Sequence, residues 1–256
     1  MDCSQVTRPN TITGVNSDAL LRFGINLLVT FSYYGFWHCV LYFAGWSKRP
    51  FHPSRHYKLS KVVHNMWYSF LGVVQYTVWE AIYIHCCATK RLPYLSDQES
   101  FSNNWNIMVF CLAAFWVPLY RSFHFYFAHR FIHIKALYKF IHSLHHRNTD
   151  IEPFAGLSMH PVEHLYYYSC VGPSLILFAS PFAFTWNGVH LLLSPAASHS
   201  GWEDHFQSDQ YHYLHHRLVT NTAFNTYSWY PSGFLSATME TVGLHLIRCL
   251  EPLGIS

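Results

Sequence analysis

The chain has 256 residues, of which 51% are hydrophobic, 19% aromatic and only 11% charged, with a formal net charge of +3. Against a usual charged share of about 25%, that deficit implies a surface facing lipid over much of its area. The small positive charge, with no basic stripe interleaved with stacking aromatics, excludes a nucleic-acid binder. Seven cysteines without a CxxC spacing or paired framework call for no oxidising compartment.

In chain order, the first 22 residues are polar and lack the charged start and apolar run of a cleaved signal peptide, so insertion is expected to rely on the first internal helix. Phe23 to Trp46 is an apolar run long enough to cross a bilayer. The following loop carries Lys48, Arg49, Arg55, Lys58 and Lys61, which places it on the cytoplasmic side. Val62 to Ala88 reads as a second span, in which the embedded Glu80 either marks function or reaches water near the lumenal end. A third span from Trp105 to Tyr120 returns the chain to the cytoplasm. His164 to Ala197 is apolar again but interrupted by Pro173, Pro181 and Pro195, as in a bent hairpin that enters and leaves on one face.

The expected fold is therefore all-α: an integral membrane helical bundle with a cytoplasm-facing, histidine-rich helical cap. Its parts are an N-terminal polar segment (1–22), transmembrane helices (23–121), a histidine-rich domain that includes the membrane hairpin (122–232), and a tail (233–256).

Histidine is the outlier of the composition, with 20 copies, fourteen of them between His124 and His216. His129 and His133 form an HxxxH pair, and two HxxHH triplets follow: His142, His145, His146 and His212, His215, His216. On a helix, positions i, i+3 and i+4 share a face, so each triplet is expected to aim its imidazoles at one point. Imidazole-only sets suit zinc, copper, iron or nickel. Eight or more histidines exceed the three or four ligands of one zinc ion, whereas two irons with a position left for dioxygen use the whole set. Copper finds no supporting Cys or Met pattern.

At about 100° per residue, a straight helix from His129 to His146 would put its two boxes on nearly opposite faces. A shared site thus requires a break within Ile134–Ile141, expected near Tyr138. His199, 13 residues before the last triplet, is a further candidate ligand. His160 and His164, spaced i, i+4, are ligands or, like Glu163 between them, outer hydrogen-bond partners that fix an imidazole tautomer. His124, His190 and His205, and the distant His38, His52, His56, His64, His85 and His245, are expected to be structural.

The boxes HRFIH, HSLHH and HYLHH, with HPVE and SHSGWE between them, resemble the fatty acid hydroxylase superfamily of membrane sterol desaturases and hydroxylases, and lean toward its methylsterol monooxygenase branch. The resemblance covers about residues 105 to 230. It implies a helical endoplasmic-reticulum membrane protein with a cytoplasm-facing di-iron centre. It also implies electrons from NAD(P)H through cytochrome b5 or a similar donor, and oxidation of a lipid C–H bond by dioxygen. Carried over, it makes His129, His133, His142, His145, His146, His212, His215 and His216 iron ligands. The segment around Trp229, Tyr230 and Pro231 departs from the Trp-Asp pair usual there, which puts the substrate class in question. A sterol substrate is the leading reading, with a fatty acyl chain or sphingoid base as the alternative. Readings from other classes are a zinc-dependent membrane hydrolase and a metal or haem carrier, although a triplet exceeds what axial haem ligation needs.

Overall fold

The computed structural model describes residues 19–44, 58–202 and 208–218. Those residues are all-helical, with no β-strand among them. The first helix, α1, runs Ala19–His38 and continues as a π-helical turn, Cys39–Phe43. α2 spans Leu59–Ala88, a short α3 spans Asp97–Ser100, and α4 spans Asn104–Ile132. Side-chain caps start α3 and α4: Ser96 and Glu99 form a capping box, and Asn103 accepts from the Asn106 N–H.

After α4 come the short α5 (Lys135–Phe140) and two 3₁₀ turns, His142–Arg147 and Pro153–Leu157. The apolar segment after Met159 breaks into α6 (Pro161–Tyr168), α7 (Val171–Phe178) and α8 (Pro181–Gly188). It ends in a π turn (Val189–Leu193) and α9 (Ser194–Ser198), and α10 spans Ser208–Leu218. Proline explains the fragmentation: Pro153, Pro161, Pro181 and Pro195 each stand in the first turn of an element, where the missing N–H costs nothing.

Two of the expected features lie elsewhere in the structure. The helix expected to end at Tyr120 runs on to Ile132 through Pro118, and so carries His129 on its own last turn. The break between the boxes is present, but it lies at His133–Ile134 and again at Ile141, whereas Tyr138 sits inside α5. Most of the basic loop, His205 and the Trp229–Pro231 segment fall outside the described residues.

α1, α2, the 153–157 turn and α6 to α8 meet around a core of Tyr34, Val73, Tyr76, Leu157, Tyr168, Leu175, Phe184 and Leu191. The outward faces stay apolar: Leu28 on α1, Trp67 on α2 and Phe115 on α4 are 69%, 57% and 63% exposed. One helix among the described residues, α4, is long and apolar enough to cross a membrane. Glu80 does not reach water; it is buried and paired with Arg22, while the Asn26 side chain donates to its other oxygen at 2.9 Å. The charge there ties α1 to α2, as a buried ion needs a partner and hydrogen bonds.

α2 ends in a Schellman motif: Lys90 N–H donates to Cys87 O (3.0 Å) and Arg91 N–H to Cys86 O (2.8 Å). Lys90 holds the left-handed position at φ 60°, which favours glycine. Lys90→Gly is expected to stabilise the protein by roughly 0.5–1 kcal/mol, read as a higher midpoint in thermal unfolding in detergent.

Candidate metal centre

Four segments deliver nine histidines to one place. α4 supplies His129 on its last turn and His133 just beyond it, spaced i, i+4 and hence on one face. The breaks at Ile134 and Ile141 turn the chain back so that the 3₁₀ turn brings His142, His145 and His146 against them. α9 ends at His199, and α10 contributes His212, His215 and His216. The donor atoms form two groups: His129, His133, His142, His146 and His215, and His145, His199, His212 and His216.

Each triplet is divided between the groups, contrary to the expectation that it would converge on one point. In the first triplet the i, i+4 pair His142 and His146 joins the five-histidine group, while His145 crosses to the other. The second is its mirror: His212 and His216 stay together and His215 crosses. Residues i and i+3 of a 3₁₀ turn eclipse one another, so local geometry stacks His142 on His145 and the crossing itself is set by how the neighbouring segments pack. His142 and His145 accordingly stack at 5.5 Å and 25°, one on each side of the divide. The groups adjoin, with the His146 and His216 rings 4.7 Å apart.

Within the five-histidine group, Nε2 atoms lie 2.9 Å (His129–His215 and His129–His133), 3.0 Å (His142–His146) and 3.1 Å (His133–His142 and His133–His215) apart. In the second group the separations are 2.9 Å (His199–His212), 3.1 Å (His199–His216), 3.2 Å (His212–His216) and 3.3 Å (His145–His199). The outer nitrogens show which way the lone pairs face. His142 Nδ1 donates to Glu163 Oε1 at 2.7 Å, His145 Nδ1 to Ser158 O at 3.2 Å, and His199 Nδ1 to Pro195 O at 2.8 Å. With Nδ1 protonated, Nε2 of a neutral ring carries a lone pair directed inward. Lone pairs converging at about 3 Å repel unless a cation lies between them. Metal–nitrogen bonds of about 2.0–2.1 Å at right angles would space neighbouring donors by about 2.9 Å. The donor set therefore fits two ions.

Burial disfavours the charged imidazole throughout. It pushes His133 down to about 3, helped by the neighbouring His215 ring, and His199 and His215 down to about 4. These rings are neutral at pH 7, the form that binds metal. An unfolded chain takes up the same protons near pH 6.5, whereas the folded chain resists them until about pH 4. The metal-free protein is thus expected to lose stability steadily as pH falls from about 6.5 to about 4, measured by thermal unfolding after chelation.

Of the remaining candidates, only Glu163 touches a member of either group. The His160 side chain caps α6 by accepting the Val162 N–H, and His164 Nε2 donates to Leu157 O at 2.9 Å. Neither joins a donor group. His124 contacts Ser169 Oγ at 3.0 Å, and His190 packs edge-on against Trp186. His38 binds Glu152, which also accepts from Asn65 (2.7 Å) and caps the 153–157 turn through the Phe154 N–H (3.0 Å). Sequence reasoning missed that triad, the Ser158 and Pro195 carbonyls, and Tyr138, whose ring lies 5.6, 5.7 and 6.0 Å from those of His133, His146 and His142. No residue-type signal marks a backbone carbonyl.

Helices and donor groups together give the described residues an all-helical fold with a histidine cage able to hold two ions beside the end of an apolar helix. Residues 112–235, which contain the whole cage, match the fatty acid hydroxylase family model, so this part of the chain is a fatty acid hydroxylase domain. Among curated proteins it is 30% identical over 147 residues to the very-long-chain aldehyde decarbonylase GL1-11 of Oryza sativa subsp. indica, covering 52% of this chain and 51% of the relative. It is 25% identical over 185 residues to methylsterol monooxygenase 2-1 of Arabidopsis thaliana, covering 59% and 65%. A shorter match, 40% over 45 residues, covers 18% of this chain and 13% of the Delta(7)-sterol 5(6)-desaturase ERG3A of Gibberella zeae. The alignment spans about half the length of the decarbonylase relatives. No solved structure matches the chain.

Proposed function

We propose that this protein is a membrane-embedded, non-haem di-iron oxygenase that uses dioxygen to oxidise a C–H bond of a lipid, with a sterol as the leading substrate class. The observation that carries the reading is the pair of adjoining donor groups, five and four imidazoles, with lone pairs turned inward. His129, His133, His142, His146 and His215 would hold one iron, and His145, His199, His212 and His216 the other. The irons would supply dioxygen reduction and attack on an unactivated C–H bond, chemistry that no side chain provides.

The protein's own part is to position and to exclude. Glu163, Ser158 and Pro195 fix ring orientations from outside the cage. Tyr138 packs over three rings of the five-histidine group and shields that side from water. Hydroxylation consumes one dioxygen, two electrons and two protons, and releases one oxygen atom as water. Since the sequence carries no haem-attachment or flavin motif, NAD(P)H is expected to act through a partner such as cytochrome b5. Exposed cations near the cage, namely Arg130, Lys135, Lys139, Arg147 and Arg217, suit an acidic carrier of that kind.

The exposed apolar faces of α1, α2 and α4 support a multi-pass arrangement. A span of about 30 Å of hydrocarbon needs roughly 20 helical residues, and these helices have 20, 30 and 29. We place the cage on the cytoplasmic side of the endoplasmic reticulum membrane. Lipid profiling of a knockout strain tests the substrate: a methylated or saturated sterol precursor is expected to accumulate. Accumulation of a long-chain aldehyde, acyl lipid or sphingoid base would reassign the substrate within the family. Two irons per chain and an absolute need for dioxygen are expected of the purified protein. Zinc content with dioxygen-independent hydrolysis would overturn the oxygenase reading.

A further inference from the structure

We propose that Glu163 is a positioning residue that makes the two halves of the cage unequal, giving the five-histidine group the tighter hold on its metal. The inference rests on the two-ion reading above. Glu163 is the one carboxylate, among the described residues, that hydrogen-bonds to any of the nine histidines. Its contact with His142 is short (2.7 Å), and both side chains are almost wholly buried. Four other outer nitrogens have weaker partners, or none among the described residues. His145 and His199 donate to neutral carbonyls at 3.2 and 2.8 Å. His146 Nδ1 and His216 Nδ1 are buried without a partner among the described residues.

The placement follows from helix chemistry. His160 is the N-cap of α6 and Pro161 opens its first turn, which sets Glu163 at the third helical position, with its carboxylate at the N-terminal end. α6 packs on α2 and α4, so the carboxylate has a fixed base from which to reach the 3₁₀ turn. A carboxylate accepting from Nδ1 fixes the imidazole tautomer, orients the ring and increases the donor strength of Nε2. Loss of such partners generally costs 10–100-fold in metal affinity. A carbonyl orients a ring equally well but brings no negative charge, and the partners that the described residues offer the four-histidine group are all neutral: the Ser158 and Pro195 carbonyls and the Ser198 hydroxyl. Burial alone pushes the Glu163 carboxyl well above its usual range, and two dications among nine neutral ligands would hold it charged, because its interaction with an ion is little screened in a buried site.

The test uses the full chain in detergent, stripped with a chelator and titrated with Co²⁺ alone, with bound metal counted by mass spectrometry and followed by the cobalt d–d absorption. Wild-type protein is expected to load two ions in two steps. His145→Ala, which removes a donor atom from the four-histidine group alone, should abolish the weaker step. Glu163→Gln keeps the acceptor oxygen and the side-chain volume while removing the charge, and should weaken the tighter step 10–100-fold with the weaker step unchanged. A purely structural role would instead lower the melting temperature of the metal-free protein and blur both steps together. That outcome overturns the proposal, as do two unchanged steps or a loss confined to the weaker one. If Glu163→Gln does not fold, Glu163→Asp, which retains the charge but retracts it from His142, should give a smaller selective weakening of the same step. Wild-type protein that binds fewer than two ions would refute the two-ion reading itself, whatever the variants do.

Discussion

Replacing His146 by alanine is expected to strip the metal from the five-histidine group and to bring lipid oxidation down to background. His146 stands where the groups meet. Its Nε2 is 3.0 Å from that of His142, and its ring lies 4.7 Å from His215 on one side and 4.7 Å from His216 on the other. The substitution therefore removes a donor from one ion and a packed wall from beside the second. Bound metal should fall from two per chain to one or fewer, as counted by mass spectrometry. His164→Ala is the informative contrast. His164 is equally buried, yet it spends Nε2 on Leu157 O, outside either donor group. That variant should lower thermal stability by about 1–3 kcal/mol, since a buried acceptor loses its partner, and leave metal content near two. Full activity in His146→Ala would remove the triplet from the mechanism.

The contrast marks what sequence spacing could convey. Every i, i+4 pair in the boxes ends in one donor group: α-helical periodicity dictates this for His129 with His133 and His212 with His216, whereas His142 and His146, in a 3₁₀ turn, meet through tertiary packing. The i+3 members, His145 and His215, cross to the opposite group. That crossing was not legible, because it depends on a 3₁₀ turn and on how α10 meets it, both tertiary outcomes. The need for a break between the boxes followed from angular arithmetic alone, but its site did not: Ile134 and Ile141 are neither proline nor glycine. The apolar runs located α1, α2 and α4, whereas the end of α4 twelve residues beyond Tyr120 escaped, since Arg121, His124 and Arg130 make that stretch look like a loop. Arg121 is in fact buried and donates to Ser194 Oγ (2.7 Å) and His190 O (3.0 Å), so its polarity serves the interior. His160 and His164 show the opposite limit. Their spacing is that of a ligand pair, but Pro161 places His160 outside the helix as its cap.

Gly156→Ala should produce the largest effect of any change made outside the histidines. Gly156 lies in the 153–157 turn, buried against α9, and a Cβ there would meet Pro195 O at 2.4 Å, Pro195 C at 2.6 Å and Pro195 Cβ at 2.9 Å. Two of these atoms are backbone and the third belongs to a rigid ring, so relief requires the turn and α9 to move apart. Overpacking of this kind costs about 1–3 kcal/mol. Its location adds a functional consequence. Pro195 O is the acceptor that orients His199, and Ser158, which follows the turn directly, presents the carbonyl that orients His145. Both rings belong to the four-histidine group, so one methyl group disturbs two of its four donors at once. In a cobalt titration the weaker step should be lost or weakened more than tenfold, while the step assigned to the five-histidine group persists. Gly24→Ala supplies the control, because nothing lies within 4 Å of a Cβ at that α1 position and alanine is the better helix former. It should leave both steps in place and raise stability by about 0.5–1 kcal/mol. Equal metal binding by Gly156→Ala and Gly24→Ala would show that the contact between the turn and α9 does not set the ring orientations of His145 and His199.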